Sequence, residues 1–496
     1  MTVNPKVNPK KLRPYDTPPK RRRSPIPGAP DSAANGFLAA AAVWFSLASG
    51  IGVLAILLRI GHFNITFPLG LFELAFQLDE RRVDTAFVNA TVYGWLTNAG
   101  FAAIVFMTPR LTGRRLVGVP GLNIANAIWN LTLLGGLAAL TVFDLGPNQP
   151  LTAMPWLMTG GLAFAALIVT GSVLATIGSS LRTAYVSVWF ACIALLGLLG
   201  MLGLIATVGI VDWFIHFDEL PLALFSAFVE RAIPALWLLG MAYAMLHYVV
   251  PRAVGHPLAS GGLAILTWLA WLVLAPASAL AALADPSIPF FVVTIGAVAT
   301  MLLLLPASFA VVNLTSTVRG RWSVLLGPGP AAAAFVSVVF LLASTLLAGI
   351  RSLEDVATFV GGTEWDNGLF IWTMYGAFTL SALAIAQHAF PRTLKRAWSP
   401  TLLSAAAMWL VFVGVTVAGV ALMGGGIAEG SFLAQGTAPE DIDAGILGYQ
   451  AVAFGAFGLV ALGALAHLAD MFLLFTSARP VEYAIPGASA AAVASH

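Results

Sequence analysis

Few side chains in this chain could do chemistry, so their types and spacing are informative. It holds seven histidines (His62, His216, His247, His256, His388, His467 and His496) and one cysteine, Cys192. Imidazole can ligate iron or copper and can relay protons. A single thiol excludes an intrachain disulfide, a four-cysteine zinc site and a Cys-x-x-Cys-His haem attachment, so Cys192 reads as a small core hydrophobe. Asp470 follows His467 by three residues, which puts both on one helical face as a proton relay or a local structural pair. Glu230 and Arg231 are adjacent charges whose side chains leave a helix about 100° apart. They could form a proton or ion path, a polar plug, or a structural ion pair facing water or a neighbouring subunit. Glu230, Arg231, His467 and Asp470 are therefore the candidate polar site, and no residue is assigned a catalytic role.

These groups matter because the elements that carry them read as membrane spans. The sequence is 59% hydrophobic and 9% charged, with a mean hydropathy of +0.90, which excludes an ordinary soluble domain. Apolar runs long enough to cross a bilayer are predicted at 36–58, 84–108, 118–143, 155–177, 184–210, 222–250, 258–284, 289–314, 331–350, 368–390, 401–423 and 447–475. The runs are continuous rather than alternating, so a β-barrel is excluded. The expected organisation is a basic, disordered arm over 1–35, a membrane domain over 36–475 and a tail over 476–496. The arm is too long for a typical secretory signal, and no clear cleavage site follows it. Three spans end in a Pro-Arg step, Pro109-Arg110, Pro251-Arg252 and Pro391-Arg392, and the two intervals between them are nearly equal. That regularity predicts one structural unit used three times, each with room for about four helices.

Charge gives the expected orientation. With the N-terminus in the cytoplasm, 19 of the 24 Lys and Arg fall on the inner side, from Lys6, Lys10, Lys11, Arg13 and the Lys20–Arg23 run to Arg479. Arg59, Arg81, Arg82 and Arg351 fall at the outer edge and Arg231 within a span. The positive-inside rule then places both termini in the cytoplasm of a bacterial or archaeal cell. Seventeen acids, among them Glu73, Asp84, Asp144, Glu364 and Glu429, fall outside. That face either merely lacks cations or docks a basic soluble partner. The arm reads as an anchor to anionic lipid, and nothing suggests nucleic acid.

The stretch Val88 to Ala103 (VNATVYGWLTNAGFAA), followed by Pro109 to Arg115 (PRLTGRR), resembles the second helix of haem-copper oxidase catalytic subunits (subunit I), above all the C-type. Twelve spans in three four-helix units extend the resemblance to about residues 36–475. It implies an all-α membrane fold with pseudo-threefold order and a place among other subunits of a respiratory complex. It also implies two haems and a copper held by six histidines on helices two, six, seven and ten, imidazole being a donor that suits both metals. Counting from the Pro-Arg steps places Phe87, Arg231, Ala277, Ser278, Leu369 and Ile371 at the family's ligand positions. None is a histidine, and helix seven contains none. Phenyl and aliphatic groups cannot ligate iron, and arginine repels copper.

The other histidines read as non-ligands. His62 and His216 lie at the outer boundary, His256 in an inner loop and His496 at the terminus. His247 and His388, just before the Pro-Arg steps, are expected to reach the interface or last-turn carbonyls. Trp95, Trp129, Trp237, Trp271 and seven other tryptophans read as interfacial belts and packing. The 48 glycines permit close helix packing. The expectation is a divergent subunit I-like protein without haem or copper, a non-catalytic scaffold or proton-conducting subunit. Two alternatives stay open. One is an active terminal oxidase or nitric oxide reductase relative that binds haem and copper through other ligands. The other is an ion or solute transporter using the vacated interior.

Overall fold

In a computed structural model, the residues described are 31–61, 65–69, 74–143, 151–152, 154–396 and 402–477. The basic arm through Arg23, His62, Glu73, Asp144, Arg479 and His496 lie outside them. Twelve helices long and apolar enough to cross a membrane occur among the described residues. They are α1 (Ser32–Gly61), α2 (Glu80–Thr112), α3 (Val119–Thr141), α4 (Trp156–Thr183), α5 (Val186–Ile215) and α6 (Glu219–Val254). The second half comprises α7 (Gly261–Ala282), α8 (Phe290–Val318), α9 (Pro330–Arg351), α10 (Glu364–Leu394), α11 (Leu402–Ala434) and α12 (Pro439–Thr476). Helices satisfy their backbone groups internally, which a span in hydrocarbon requires.

Most helices outrun the apolar runs by one or two turns, because polar residues cap and extend them beyond the hydrocarbon. The first begins at Ser32, so residues 32–35 belong to α1 rather than to the arm. The last runs past the expected limit at 475. Asp79 caps α2 by accepting from the backbone N–H of Arg82. A short antiparallel hairpin, β1 (Ile65–Leu69) with β2 (Leu74–Leu78), joins α1 to α2 in register Phe67 with Phe76. Apolar run length does not foresee this hairpin.

The repeat read from the three prolines is built into the backbone. Helices α2, α6 and α10 each carry a π-helical segment, at Ala90–Leu96, Pro234–Leu238 and Trp372–Phe378. Each segment ends at the same distance in sequence before its proline. Four residues after each proline the chain turns left-handed, at Gly113 (φ 66°), Gly255 (φ 72°) and Lys395 (φ 53°). These three helices contact one another at the centre, and α1, α5 and α9 pack beside them. The side chains three residues before each proline, Phe106, Tyr248 and His388, converge with ring centroids 5.7–6.3 Å apart. They mark the pseudo-threefold axis at the Pro-Arg end. His388 is thus buried on the axis rather than reaching for the interface. His247 meets the other expectation, as Nδ1 lies 2.8 Å from the Tyr243 carbonyl one turn back.

Candidate functional site

The π-segments explain which polar groups the interior can hold. A π turn misaligns one helical hydrogen bond and leaves carbonyl capacity for side chains. Thr97 and Thr379 hold the same position relative to their prolines. They donate to the Val92 and Met374 carbonyls five residues back, each at 2.8 Å. Each threonine also accepts from a fully buried tryptophan of the neighbouring unit. Trp237 Nε1 donates to Thr97 Oγ1 at 2.9 Å, and Trp95 Nε1 donates to Thr379 Oγ1 at 2.8 Å. A second pair repeats in the same way. Trp129 Nε1 donates to the Tyr93 carbonyl and Trp271 Nε1 to the Ala235 carbonyl, both at 2.9 Å. These four indoles are core hydrogen-bond donors, not belt residues. The sequence carried their signal, since Trp95 and Trp237, like Trp129 and Trp271, are separated by the same interval as Pro109 and Pro251.

The third sector breaks the pattern. The positions that would complete a third Trp–Thr bond are Ala377 and Leu239. Both line a cavity of ≈ 210 Å³ with Glu230, Arg231, Ser278, Ser344 and Thr373. Glu230 and Arg231 also border a larger cavity of ≈ 750 Å³ with Arg351 and Glu354. Among the described residues neither Glu230 nor Arg231 makes an ion pair. The two lie where the cavities meet.

The sector between α2 and α10 is filled instead. The Phe87 ring stacks on Tyr375 (5.9 Å, 16°) and meets Phe370 and Phe457 edge-on at 5.6 and 5.7 Å. Gly52 of α1 is required there, because a Cβ would sit 2.5 Å from both the Phe87 and the Phe457 rings. Phe45 stacks on Trp95 at 4.5 Å, and both approach the His467 ring at 6.2 Å. His467 is buried and its Nε2 has no hydrogen-bond partner. Asp470 Oδ2 accepts from Ser404 of α11 at 2.6 Å. Leu369 and Ile371 sit on α10 in this neighbourhood, Ile371 buried. Ser278 donates to the Ala275 carbonyl at 2.8 Å, and Ala277 lies beside it on α7. Cys192 is buried, as a small core hydrophobe would be.

One cluster has no signature in the sequence. Arg59, at the end of α1, donates to both oxygens of Asp84 (2.9 and 3.0 Å), to Glu364 Oε2 (3.2 Å) and to Glu80 Oε1 (3.4 Å). Buried Glu364 also accepts from Asn367 (2.9 Å) and Gln450 (2.8 Å), while its own N–H donates to Glu429 at 2.8 Å. The acids come from α2, α10 and α11, so periodicity within any one helix could not have joined them.

The family model for cytochrome c and quinol oxidase polypeptide I matches residues 32–458. The chain belongs to this family. A haem-copper terminal oxidase dimer solved by electron cryo-microscopy has the same fold, with a TM-score of 0.75 at 16% identity over 91% of this chain and 85% of that one. No curated protein matches. The family implies two haems and a copper, and the residues at the expected positions do not fit them. Phe87, Leu369 and Ile371, at the positions expected from the sequence, offer a haem no imidazole, and Phe87 stands inside a packed set of rings. The smaller cavity beside Glu230 and Arg231 offers hydroxyls, a carboxylate and a guanidinium rather than imidazoles. Among the described residues, no three His, Cys, Asp or Glu side chains are grouped to hold a metal ion.

Proposed function

We propose that this chain is a non-catalytic member of the polypeptide I family, a membrane scaffold that binds other subunits of a respiratory complex. The observation that supports the reading is the ring packing around Phe87, the residue that the Pro-Arg count sets at an expected ligand position and whose side chain cannot coordinate iron. The positive charge of the arm and of the Pro-Arg end supports a cytoplasmic side for both termini. The acidic opposite face is then the side on which a basic soluble partner would dock. Absorption spectroscopy and iron and copper analysis of the purified protein test this. A colourless protein that co-purifies with cytochrome-bearing membrane subunits is the expected result. A Soret band with iron in haem stoichiometry would overturn it.

A second reading is favoured by one observation: Glu230 and Arg231 carry charge where two cavities meet, with no ion pair among the described residues. Charge at such depth is expensive unless hydrated, and hydrated charge is how proteins line a proton or ion path. On this reading the chain conducts protons for its complex or carries an ion. Proteoliposomes test it: flux that falls at least tenfold in both Glu230→Gln and Arg231→Gln supports conduction, and flux no greater than in empty liposomes removes it.

A further inference from the structure

The two cavities that meet at Glu230 and Arg231 differ in character along the span. The smaller, of ≈ 210 Å³, follows α6 from Glu230 to Leu239, roughly 13 Å of helix, and α10 from Thr373 to Phe378. Both helices run toward their Pro-Arg steps, whereas α9 starts from that end with Pro330. The deep end of the cavity, with Leu239, Leu341, Ala377 and Phe378, is therefore apolar, and the other end is charged. The larger cavity, of ≈ 750 Å³, continues from Arg231 to Arg351, the last residue of α9, and to Glu354. Phe290 and Val298 of α8, both exposed, border it, so it opens toward the bilayer. A wide charged mouth leading to a narrow apolar end has the shape of a lipid headgroup with one acyl chain. An apolar cavity of about 150 Å³ stays dry and takes up benzene, so hydrocarbon suits the apolar end better than water.

The polar groups define the headgroup. Glu230 and Arg231 make no ion pair among the described residues, and their side chains leave the helix about 100° apart, so each needs its own partner. Arg351 is already held by Asp366 at 2.8 Å, which leaves Arg231 to receive an anion. A phosphate matches a guanidinium in geometry as well as charge, while Glu230 calls for a cation. An anionic headgroup would satisfy the arginine but confront the carboxylate. A zwitterionic one satisfies both, and a primary ammonium adds three hydrogen-bond donors that a quaternary ammonium lacks. The hydroxyls supply a further match. Ser278, Thr300, Thr345 and Thr373 each donate to a carbonyl of their own helix. Ser344 lines the smaller cavity, is 4% exposed, and its Oγ has no hydrogen-bond partner. A buried hydroxyl without a partner requires an explanation, and a bound ligand is one. Along α9, Ser344 lies between Arg351 and Leu341, as an ester carbonyl lies between a headgroup and its chain.

We propose that the two cavities together bind one phospholipid with a primary-ammonium, zwitterionic headgroup. Its phosphate sits on Arg231, its ammonium on Glu230, an ester carbonyl accepts from Ser344, and one acyl chain enters the space between Leu239, Leu341 and Phe378. The second chain stays in the bilayer beside Phe290 and Val298. The site does not rest on the scaffold reading. It satisfies the two charges with a lipid where conduction would use water, and it is read by lipid retention rather than flux, so the two fail separately.

The test is native mass spectrometry of the full chain in detergent, titrated with phosphatidylethanolamine, phosphatidylcholine and phosphatidylglycerol of identical chains. One phosphatidylethanolamine per chain should be retained saturably, with an affinity roughly tenfold or more above the other two. Arg231→Gln should lose about the same factor, since it removes a charge-assisted contact. Ala377→Trp with Leu239→Thr keeps both charges and fills the apolar end with the Trp–Thr bond of the other two sectors. It should abolish the preference by excluding the chain. If one variant does not fold, the other decides, and the wild-type order of the three lipids is required in either case. Equal retention of the three headgroups, a preference for phosphatidylglycerol, or unchanged affinity in a folded variant overturns the proposal.

Discussion

Replacing Thr97 by valine keeps the shape of a central side chain and removes its hydroxyl. Trp237, fully buried, then loses the acceptor 2.9 Å from its Nε1. The Val92 carbonyl loses the Thr97 hydroxyl but keeps the Thr97 backbone N–H, so one group is orphaned rather than two. An orphaned buried donor costs about 1–3 kcal/mol in soluble proteins. Hydrogen bonds between membrane helices measure lower, about 0.6 kcal/mol on average and at most about 1.7. Thr97→Val is therefore expected to destabilise by about 1–2 kcal/mol. Its pseudo-symmetric twin Thr379→Val orphans Trp95 in the same way, because Met374 likewise keeps the backbone N–H of Thr379. The two costs should agree within ~0.5 kcal/mol. Reversible unfolding in mixed micelles, as a function of the sodium dodecyl sulfate fraction, reads both. A cycle with Trp237→Phe isolates the coupling, expected at about 0.6–1.7 kcal/mol. A coupling indistinguishable from zero, or twins that differ by more than about 1 kcal/mol, would refute the reading that the Trp–Thr pairs at the α2 and α10 π-segments are equivalent stabilising bonds.

Two further perturbations address other parts of the interior. Phe87→Ala should cost about 3–5 kcal/mol as a core cavity, and Gly52→Ala about 1–3 kcal/mol as overpacking. The double variant should cost less than their sum, because the added methyl group enters the space the ring leaves; additive unfolding energies would show that the two do not touch. Arg59→Gln leaves buried Glu364 without its cation and should destabilise by about 3–5 kcal/mol. Adding Glu364→Gln should recover part of that loss in the same assay, and no recovery would mean that Arg59 acts through Asp84 and Glu80.

The sequence exposed the parts of this molecule that depend on local regularity. Apolar run length located all twelve spans, because a bilayer imposes one length and one polarity on every helix that crosses it. The Pro-Arg interval located the repeat, because each unit places its proline the same distance after a π-segment. Features that join distant helices were hidden. Arg59 meets Glu364 across 305 positions, and the hairpin between α1 and α2 is built from two mostly apolar strands of five residues, each too short for a search by apolar run length to register. The tryptophans lay between these cases. Their spacing, equal to that of the first two prolines, was visible, yet composition alone could not separate a core indole from an interfacial one.

The repeat also explains why charge gathers where it does. In two sectors a tryptophan of one unit closes on a threonine of the next, which dries the interface and satisfies the π-turn. In the third, Ala377 and Leu239 leave space, and it is there that Glu230 and Arg231 are found. A charged side chain tolerates such depth only beside water or a partner, so the missing Trp–Thr bond and the charged residues are two halves of one arrangement.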